Sequence, residues 1–341
     1  MTTEHTTTGA PVATGSAPRT QRGRITPVAI AERYALVVLL VGLFALFAAL
    51  PQTGEAFLTS ANLKTLVSNQ SVVALVALAS IVPLIAGEID LSAAPITGFS
   101  GLIAAGLAST NGWNVPAIMI AGVAVGAATG AVNGFLVAYI GVGSIVVTLG
   151  TSTVILAIVT WYSAGQTIVS GIPQGLLDLG AGDWFGLPRT IYYVVVVSAL
   201  LWYLLQQTPQ GRHLYFIGAN AKAAELVGLA VRRYTMSSFV IAGTIAGAAG
   251  LLQVAVSGSA SPQVGPGFTL PALAAAFLGA TVINPGRFNV LGTIVAVLFV
   301  AIIVNGLTLM GAADWIHPLV NGLSLLAAVV IATVAGRRTQ Q

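Results

Sequence analysis

The sequence predicts an all-α protein: a polytopic membrane helical bundle of about ten transmembrane helices, with both termini cytoplasmic. Only 6% of the 341 residues are charged and the mean hydropathy is +0.94, whereas an ordinary soluble protein is about 25% charged. The apolar residues also form long continuous runs, and about 20 apolar residues are needed to cross a hydrocarbon core of about 30 Å. A membrane β-barrel would instead show alternating polarity over about ten residues.

Each predicted span is an apolar run bounded by polar residues, glycine or proline. The runs lie at residues 33–51, 65–86, 92–108, 115–139, 144–163, 190–206, 236–256, 269–285, 291–311 and 316–335. Together they make a transmembrane domain at residues 31–336. Residues 1–30 are basic and rich in Thr, Gly, Pro and Ser, which predicts a disordered cytoplasmic tail. Residues 337–341 form a second cytoplasmic tail.

The basic residues set the orientation. With ten spans and cytoplasmic termini, 11 of the 13 Lys and Arg residues face the cytoplasm, as the positive-inside rule requires. Only Lys64 and Arg189 face outward. The inner residues are Arg19, Arg22, Arg24, Arg33, Arg212, Lys222, Arg232, Arg233, Arg287, Arg337 and Arg338. Because orientation explains where the charges sit, the net charge of +4 gives no reason to expect a nucleic-acid partner.

Two loops are longer than turns. Residues 164–189 form an outer loop rich in glycine, proline and tryptophan. Residues 207–235 form an inner loop that contains a predicted short helix from Ala221 to Leu229, with Asn220 as its N-cap and Gly228 near its end.

Two carboxylates lie within three residues of each other, between the second and third spans. They occur in the segment Gly87-Glu88-Ile89-Asp90-Leu91-Ser92. A carboxylate at the bilayer centre costs about 2.5 to 3.5 kcal/mol, so this pair is not expected to face lipid. Two interpretations remain open. The segment is either a cytoplasmic turn, with Asp90 or Ser92 capping the next helix, or a broken helix whose polar groups line a translocation path.

Three asparagines, Asn133, Asn305 and Asn321, lie inside predicted spans. Their amides either form interhelical hydrogen bonds or contact a polyhydroxylated solute. The pattern Gly243-x-x-x-Gly247-x-x-Gly250 places small residues on one helix face and predicts close helix packing.

Motifs for catalysis are not found. Neither of the two lysines follows a glycine, so the chain has no P-loop for ATP hydrolysis. The three histidines (His5, His213 and His317) are far apart in the sequence, and there is no cysteine, so no metal site is predicted. The chain is therefore expected to be neither an enzyme nor the binder of a cofactor.

Five stretches, in order along the chain, resemble the permease subunits of ribose-type sugar ABC importers, in the wider group that includes branched-chain amino-acid permeases. They are Gly87 to Ser92; Gly130-Ala131-Val132-Asn133-Gly134 with Ile145 to Thr151; Gly211-Arg212 with Gly218 to Leu229; Gly279-Ala280-Thr281 with Gly286-Arg287 and Leu291-Gly292-Thr293; and Asn305-Gly306-Leu307. The chain departs from the family pattern at Ala93-Ala94-Pro95 and at Gly141 to Ser144.

The resemblance implies a subunit of the bacterial plasma (inner) membrane that works with three partners. These are a cytoplasmic ATPase that holds ATP and Mg, an extracytoplasmic sugar-binding protein, and a second permease copy, identical or paralogous. It also implies that the inner loop docks on the ATPase. The expected coupling residues are Gly211, Asn220, Lys222, Ala223, Ala224, Glu225, Leu226 and Gly228, with Ala223, Ala224 and Leu226 forming an apolar surface.

Other functions stay open at this point. The chain could be a branched-chain amino-acid permease built on the same machinery, or an ion-coupled secondary transporter in which Glu88 or Asp90 carries a proton. A membrane receptor or scaffold that transports nothing is a further alternative.

Overall fold

The computed structural model describes residues 27–338, with side-chain surroundings for residues 33–331. Its helices are α1 (Pro27–Ala49), α2 (Gly54–Phe57), α3 (Ser60–Ile85), α4 (Ala93–Asn111), α5 (Val115–Phe135), α6 (Ser144–Tyr162), α7 (Gln174–Gly180), α8 (Arg189–Gln207), α9 (Pro209–Ala219), α10 (Ala221–Leu226), α11 (Val231–Ser257), α12 (Val264–Gly267), α13 (Thr269–Gly279), α14 (Val290–Leu309) and α15 (Ile316–Arg338). A π-helical turn, Leu136–Ile140, extends α5. Two short strands, β1 (Asp183–Trp184) and β2 (Leu187–Pro188), form an antiparallel hairpin.

Seven helical segments in this part of the chain are long and apolar enough to cross a membrane: Ser60–Ile85, Ala93–Asn111, Val115–Ile140, Ser144–Tyr162, Arg189–Gln207, Val231–Ser257 and Val290–Leu309. Three shorter apolar segments, Arg33–Ala49, Val264–Gly279 and Ile316–Ile331, coincide with the other three predicted spans. The prediction of a helical membrane protein is therefore confirmed.

Some helix boundaries differ from the prediction, each for a local reason. Helix α3 begins five residues early because Thr59 caps it, accepting a hydrogen bond from the amide of Asn62 at 3.2 Å. The predicted span 269–285 ends at Gly279, since the chain then reverses through Ile283 and Gly286, which have φ values of 63° and 82°.

Both terminal helices extend a few residues into the segments predicted to be tails. Helix α1 already begins at Pro27, inside the predicted N-terminal tail, and α15 continues to Arg338. The rest of both tails, residues 1–26 and 339–341, lies outside the described residues.

Helix α11 lies at the centre of the bundle and packs on α3, α4 and α5. Its glycines make this packing close. A Cβ on Gly243 would overlap the carbonyl oxygen of Gly126, and a Cβ on Gly250 would overlap that of Thr97. The helix packing predicted from the Gly243, Gly247 and Gly250 pattern is therefore confirmed, and it places the α4 and α5 backbones directly against α11.

Contacts between residues far apart in the sequence show which segments meet at each end of the bundle. At one end, the Lys64 end, Lys64 forms an ion pair with Asp183, and residue Ile168 pairs with Ala260 through backbone hydrogen bonds of 2.9 Å.

At the opposite end, the Gly218 end, the end of α9 meets the end of α3. Here the Tyr215 hydroxyl donates to the Phe288 carbonyl at 2.7 Å, and the Ile283 amide donates to the Arg33 carbonyl at 3.0 Å. The predicted inner loop and the N-terminal part of α1 thus lie at the same end.

Candidate functional site

A buried polar network joins the start of α4 to α5 and α6. The Asp90 carboxylate accepts hydrogen bonds from the amide and hydroxyl of Ser92, at 2.8 and 2.6 Å. The Asn133 amide donates to the Ser92 hydroxyl at 2.8 Å, and the Thr151 hydroxyl donates to the Asn133 side-chain oxygen at 2.6 Å. Ser92 and Asn133 are fully buried and Asp90 is 3% exposed. The structure therefore brings three of the six predicted path residues into one network.

A polar stripe on α6 binds the same segment by its backbone. Ser144, Thr148 and Ser152 recur every four residues and so share one face of the helix. The amides of Ile89 and Leu91 donate to Ser144 and Thr148, both at 3.2 Å, and the Ser152 hydroxyl donates to the Leu91 carbonyl at 3.2 Å. These bonds satisfy backbone groups that an irregular segment at this position would otherwise leave unpaired.

Local sequence explains why the chain turns here. Gly87 has a φ of 86°, which lets the chain leave α3, and Ser92 takes the N-cap position of α4. The Asp90 carboxylate caps the start of α4, because it accepts hydrogen bonds from the backbone amides of Ser92 and Ala93, whereas the Ser92 side chain makes no capping bond. Burial raises the pKa of Asp90, while the hydrogen bonds from Ser92 and Ala93 lower it.

Glu88 lies beside this network but is not part of it. Its side chain is half-buried, and in the described part of the chain its carboxylate has no hydrogen-bond or ion-pair partner. Its amide closes the end of α3 by donating to the Pro83 carbonyl at 2.9 Å. Of the two neighbouring carboxylates, Glu88 is therefore the one that is free to meet a partner or a solute.

The other two predicted path residues lie elsewhere. Asn305, near the end of α14, exchanges amide hydrogen bonds of 3.0 and 3.1 Å with Asn62 at the Lys64 end of the bundle. Asn321 lies on α15 and is 8% exposed, and its side-chain oxygen is buried with no hydrogen-bond partner.

The predicted inner helix forms at the Gly218 end. The Asn220 side chain caps α10 by accepting from the Ala223 amide at 3.0 Å, as predicted. The helix ends through Gly228, which has a φ of 83°. The amides of Gly228 and Leu229 donate to the carbonyls of Glu225 and Ala224, a Schellman arrangement. This corner is fixed by its own backbone.

The outer surface of α10 differs from the predicted one at one position. Ala224 is fully buried, so it does not belong to the exposed apolar surface expected of it. Leu226 is 89% exposed and Val227 is 67% exposed, and these two side chains make that surface instead. Lys222 and Glu225 are exposed beside them and Ala223 is half-buried.

Helix α9 connects α10 to the bundle. A Cβ on Gly211 would overlap the carbonyl oxygen of Leu205, so glycine allows the close α8–α9 corner. The hydroxyl of Tyr215 holds the loop before α14 through Phe288, and the guanidinium of Arg287 lies 6.0 Å from its ring centre. Burial raises the pKa of Tyr215, an effect that the charge of Arg287 opposes.

A cavity of about 450 Å³ lies between α3, α8 and α14. Apolar side chains such as Val67, Val194, Trp202 and Leu298 form almost all of its accessible lining, and Gln70, Ser71 and Ser198 also border it. A polyhydroxylated solute needs several hydrogen-bonding groups, so this cavity does not fit a sugar.

Sequence reasoning missed the residues of α6 that complete the network. Ser144, Thr148, Thr151 and Ser152 were not singled out as site residues, although their spacing of four residues was a usable signal for three of them. The contact between Gly87 and Gly218 joins residues 131 positions apart, and nothing in the local sequence marks it.

Comparisons with known proteins agree on one family. Residues 62–329 match the family described as "Branched-chain amino acid transport system / permease component". The chain is 30% identical to the D-allose transport system permease protein of Escherichia coli (strain K12) over 300 residues, 88% of this chain and 91% of that protein. It is 32% identical to the ribose import permease protein of Bacillus subtilis (strain 168) over 292 residues, 85% of this chain and 90% of that protein. These matches confirm the resemblance predicted from the ordered motifs.

A solved structure supports the fold. The chain aligns with "An inward-facing conformation of a putative metal-chelate type ABC transporter", with a TM-score of 0.52 and 16% identity. The alignment covers 90% of this chain and 99% of that one.

Proposed function

The chain belongs to the branched-chain amino acid transport system / permease component family, and on this premise we propose that it is the permease subunit of an ATP-driven importer for a monosaccharide. The sugar specificity rests on relatives named for D-allose, ribose and L-arabinose. The observation that carries the coupling role is the α9–α10 corner, which displays Leu226 and Val227 at the Gly218 end of the bundle.

The proposed topology has ten crossings, with the Gly218 end in the cytoplasm. The helix order supports it, because successive apolar helices alternate between the two ends and the shorter segments fill the three remaining crossings. The distribution of 11 inner and 2 outer basic residues supports the orientation. Both termini are then cytoplasmic, and the protein is a multi-pass subunit of the bacterial plasma membrane.

The proposed ATPase partner binds the α9–α10 corner and holds ATP and Mg, so hydrolysis occurs outside this chain. Leu226 and Val227 would fill an apolar pocket, while Lys222 and Glu225 would form polar contacts at its rim. Ala223 packs below this surface. Asn220, Gly211, Ala224 and Gly228 act by shaping the corner rather than by touching the partner.

A second permease copy is proposed to complete the path. Helix α6 buries one edge and leaves Val146, Leu149, Val154 and Trp161 exposed. The apolar cavity within one copy does not suit a sugar. Both facts agree with a path between two copies that is lined by such exposed helices. An extracytoplasmic sugar-binding protein would deliver the sugar to this path at the Lys64 end.

Within this path, the proposed roles of the six candidate residues differ. Glu88 and Asn321 each carry an oxygen without a hydrogen-bond partner among the described residues, so they are the best candidates to contact solute. Asp90, Ser92 and Asn133 are bonded to one another, which favours shaping the inner end of the path. Asn305 is engaged by Asn62, which favours helix packing.

Transport by the reconstituted complex tests the proposal. The permease, its ATPase and its binding protein are placed in liposomes, and uptake of labelled ribose, allose and arabinose is measured with and without ATP. ATP-dependent uptake of one sugar is the expected result. Uptake that needs no ATPase and collapses with an uncoupler would instead establish the proton-coupled alternative through Glu88 or Asp90.

The branched-chain amino acid alternative is tested in the same liposomes. The matched family carries that name, so leucine is added as a competitor at a hundredfold excess. Competition by leucine and none by pentoses or hexoses would overturn the sugar assignment while leaving the ATP-driven mechanism in place.

A further inference from the structure

The connection from α3 to α4, residues 86–92, touches the coupling corner on one side and α6 on the other. On the first side, Gly87 meets Gly218 at the end of α9. A Cβ on Gly218 would overlap the Ile85 carbonyl oxygen and lie 3.1 Å from the Gly87 nitrogen, and one on Gly87 would lie 3.4 Å from the Gly218 Cα. Two backbones are therefore in direct contact with no side chain between them. Because no rotamer change can absorb a movement there, a displacement of α9 must move the connection.

On the second side, three hydrogen bonds hold the connection along α6. They join Ile89 and Leu91 to the stripe of Ser144, Thr148 and Ser152, each at 3.2 Å. They span two helical turns, so the connection and the inner half of α6 form one body.

The Asp90 network adds a separate attachment to α6. Asp90 holds Ser92, Ser92 accepts from Asn133, and Asn133 accepts from Thr151 on α6. Each buried member has a partner in this chain of bonds, so none can move alone without leaving a polar group unpaired. This attachment reaches Thr151, which lies on α6 beside the stripe, next to Ser152 in sequence.

We propose that residues 86–92 form a rigid strut that carries movement of the α9–α10 corner to α6, with Gly218 and Thr151 as positioning residues at its two ends. The inference deepens the proposed function, on which it rests, because it names the element that couples ATP binding to the path. Gly218 receives the displacement, and Thr151 adds the buried side-chain attachment through Asn133 and Ser92 to the backbone bonds that hold the strut on the helix facing the path.

Two variants test the strut in the complete reconstituted complex. Gly218→Ala forces the two backbones apart, and Thr151→Val removes the hydroxyl with little change of shape. Each is expected to lower the ratio of sugar transported to ATP hydrolysed at least fivefold, while the ATPase still co-purifies with the permease. Thr244→Val is the matched control, since Thr244 on α11 is half-buried like Thr151 and its hydroxyl bonds only its own helix, at the Val240 carbonyl. An unchanged ratio in both test variants would overturn the proposal.

The double variant separates a strut from two independent packing defects. If both residues act in one transmission path, Gly218→Ala combined with Thr151→Val is no worse than the more severe single variant. If the transport ratio of the double variant instead falls by the product of the two single-variant losses, the two residues act independently and the strut is contradicted.

Distance measurements test the strut without reference to the transported solute. The chain has no cysteine, so Arg212→Cys on α9 and Val146→Cys on α6 give two sites for spin labels. The labelled permease is mixed with an excess of unlabelled permease, so that each complex holds one labelled copy and one distance is measured. In the complete complex, the separation of the two labels is expected to stay the same with and without ATP, because both belong to one rigid unit. A change of several ångströms in the unmodified background would overturn the strut. Absence of sugar uptake together with a constant distance would count only against the proposed function.

Discussion

Asn62 and Asn305 donate hydrogen bonds to each other through their side-chain amides, at 3.1 and 3.0 Å, although 243 residues separate them. The pair ties the first turn of α3 to the last turns of α14 at the Lys64 end. Asn62 also donates to the Phe57 carbonyl at 2.9 Å. The amide of Asn305 therefore serves the packing of two helices, an interpretation that the sequence left open.

Asn305→Leu is expected to lower the free energy of unfolding by about 1 kcal/mol, since it leaves the Asn62 amide oxygen without a donor. The Michaelis constant for sugar uptake is expected to stay the same. Thermal unfolding in detergent and uptake in liposomes measure the two quantities. A large rise in the Michaelis constant with unchanged stability would place Asn305 in the path instead.

Leu226→Glu is expected to weaken binding of the ATPase by at least tenfold, because a side chain that is 89% exposed would carry its charge into an apolar pocket. Co-purification with the ATPase and the dissociation constant measure the effect. Leu58→Glu is the control: it makes the same change at a leucine 49% exposed near the Lys64 end. Equal binding by both variants would argue against docking at α10.

Ala224→Glu is expected to act differently from Leu226→Glu. Ala224 is fully buried, and a carboxylate there would have no partner, so the folded corner should lose several kcal/mol of stability. Limited proteolysis within residues 207–235 should speed up, together with loss of ATPase binding. Protection equal to that of the unmodified chain would show that α10 tolerates a charge at this position.

Gly243→Ala is expected to destabilise the bundle by about 1 to 3 kcal/mol, since its Cβ would overlap the Gly126 backbone. Gly42→Ala is the matched control, because Gly42 lies on α1 with no atom within 4 Å of the added Cβ. Removing the flexibility of glycine there should leave stability equal or slightly higher. Thermal unfolding of the two variants under identical conditions compares them, and equal losses would contradict a packing role for the Gly126 contact.

The candidate site was predictable where local rules apply and not where distant segments meet. The cap at Asn220 and the stop at Gly228 were read correctly because both depend on residues a few positions away. The burial of Ala224 was missed, since it depends on how α10 folds back on the bundle.

By itself the sequence determined that this protein is helical, lies in a membrane and belongs to the sugar permease group. The helical membrane fold follows from the length of apolar runs and the scarcity of charge, because hydrocarbon cannot satisfy a backbone outside helices or closed barrels. Membership in the group follows from the resemblance of short motifs in order. Tertiary structure alone decided which polar groups meet. Asp90, Ser92, Asn133 and Thr151 join one network while Asn305 bonds Asn62 at the other end. Partnership of buried amides and hydroxyls depends on distances across the bundle, and a pattern along one chain does not contain those distances.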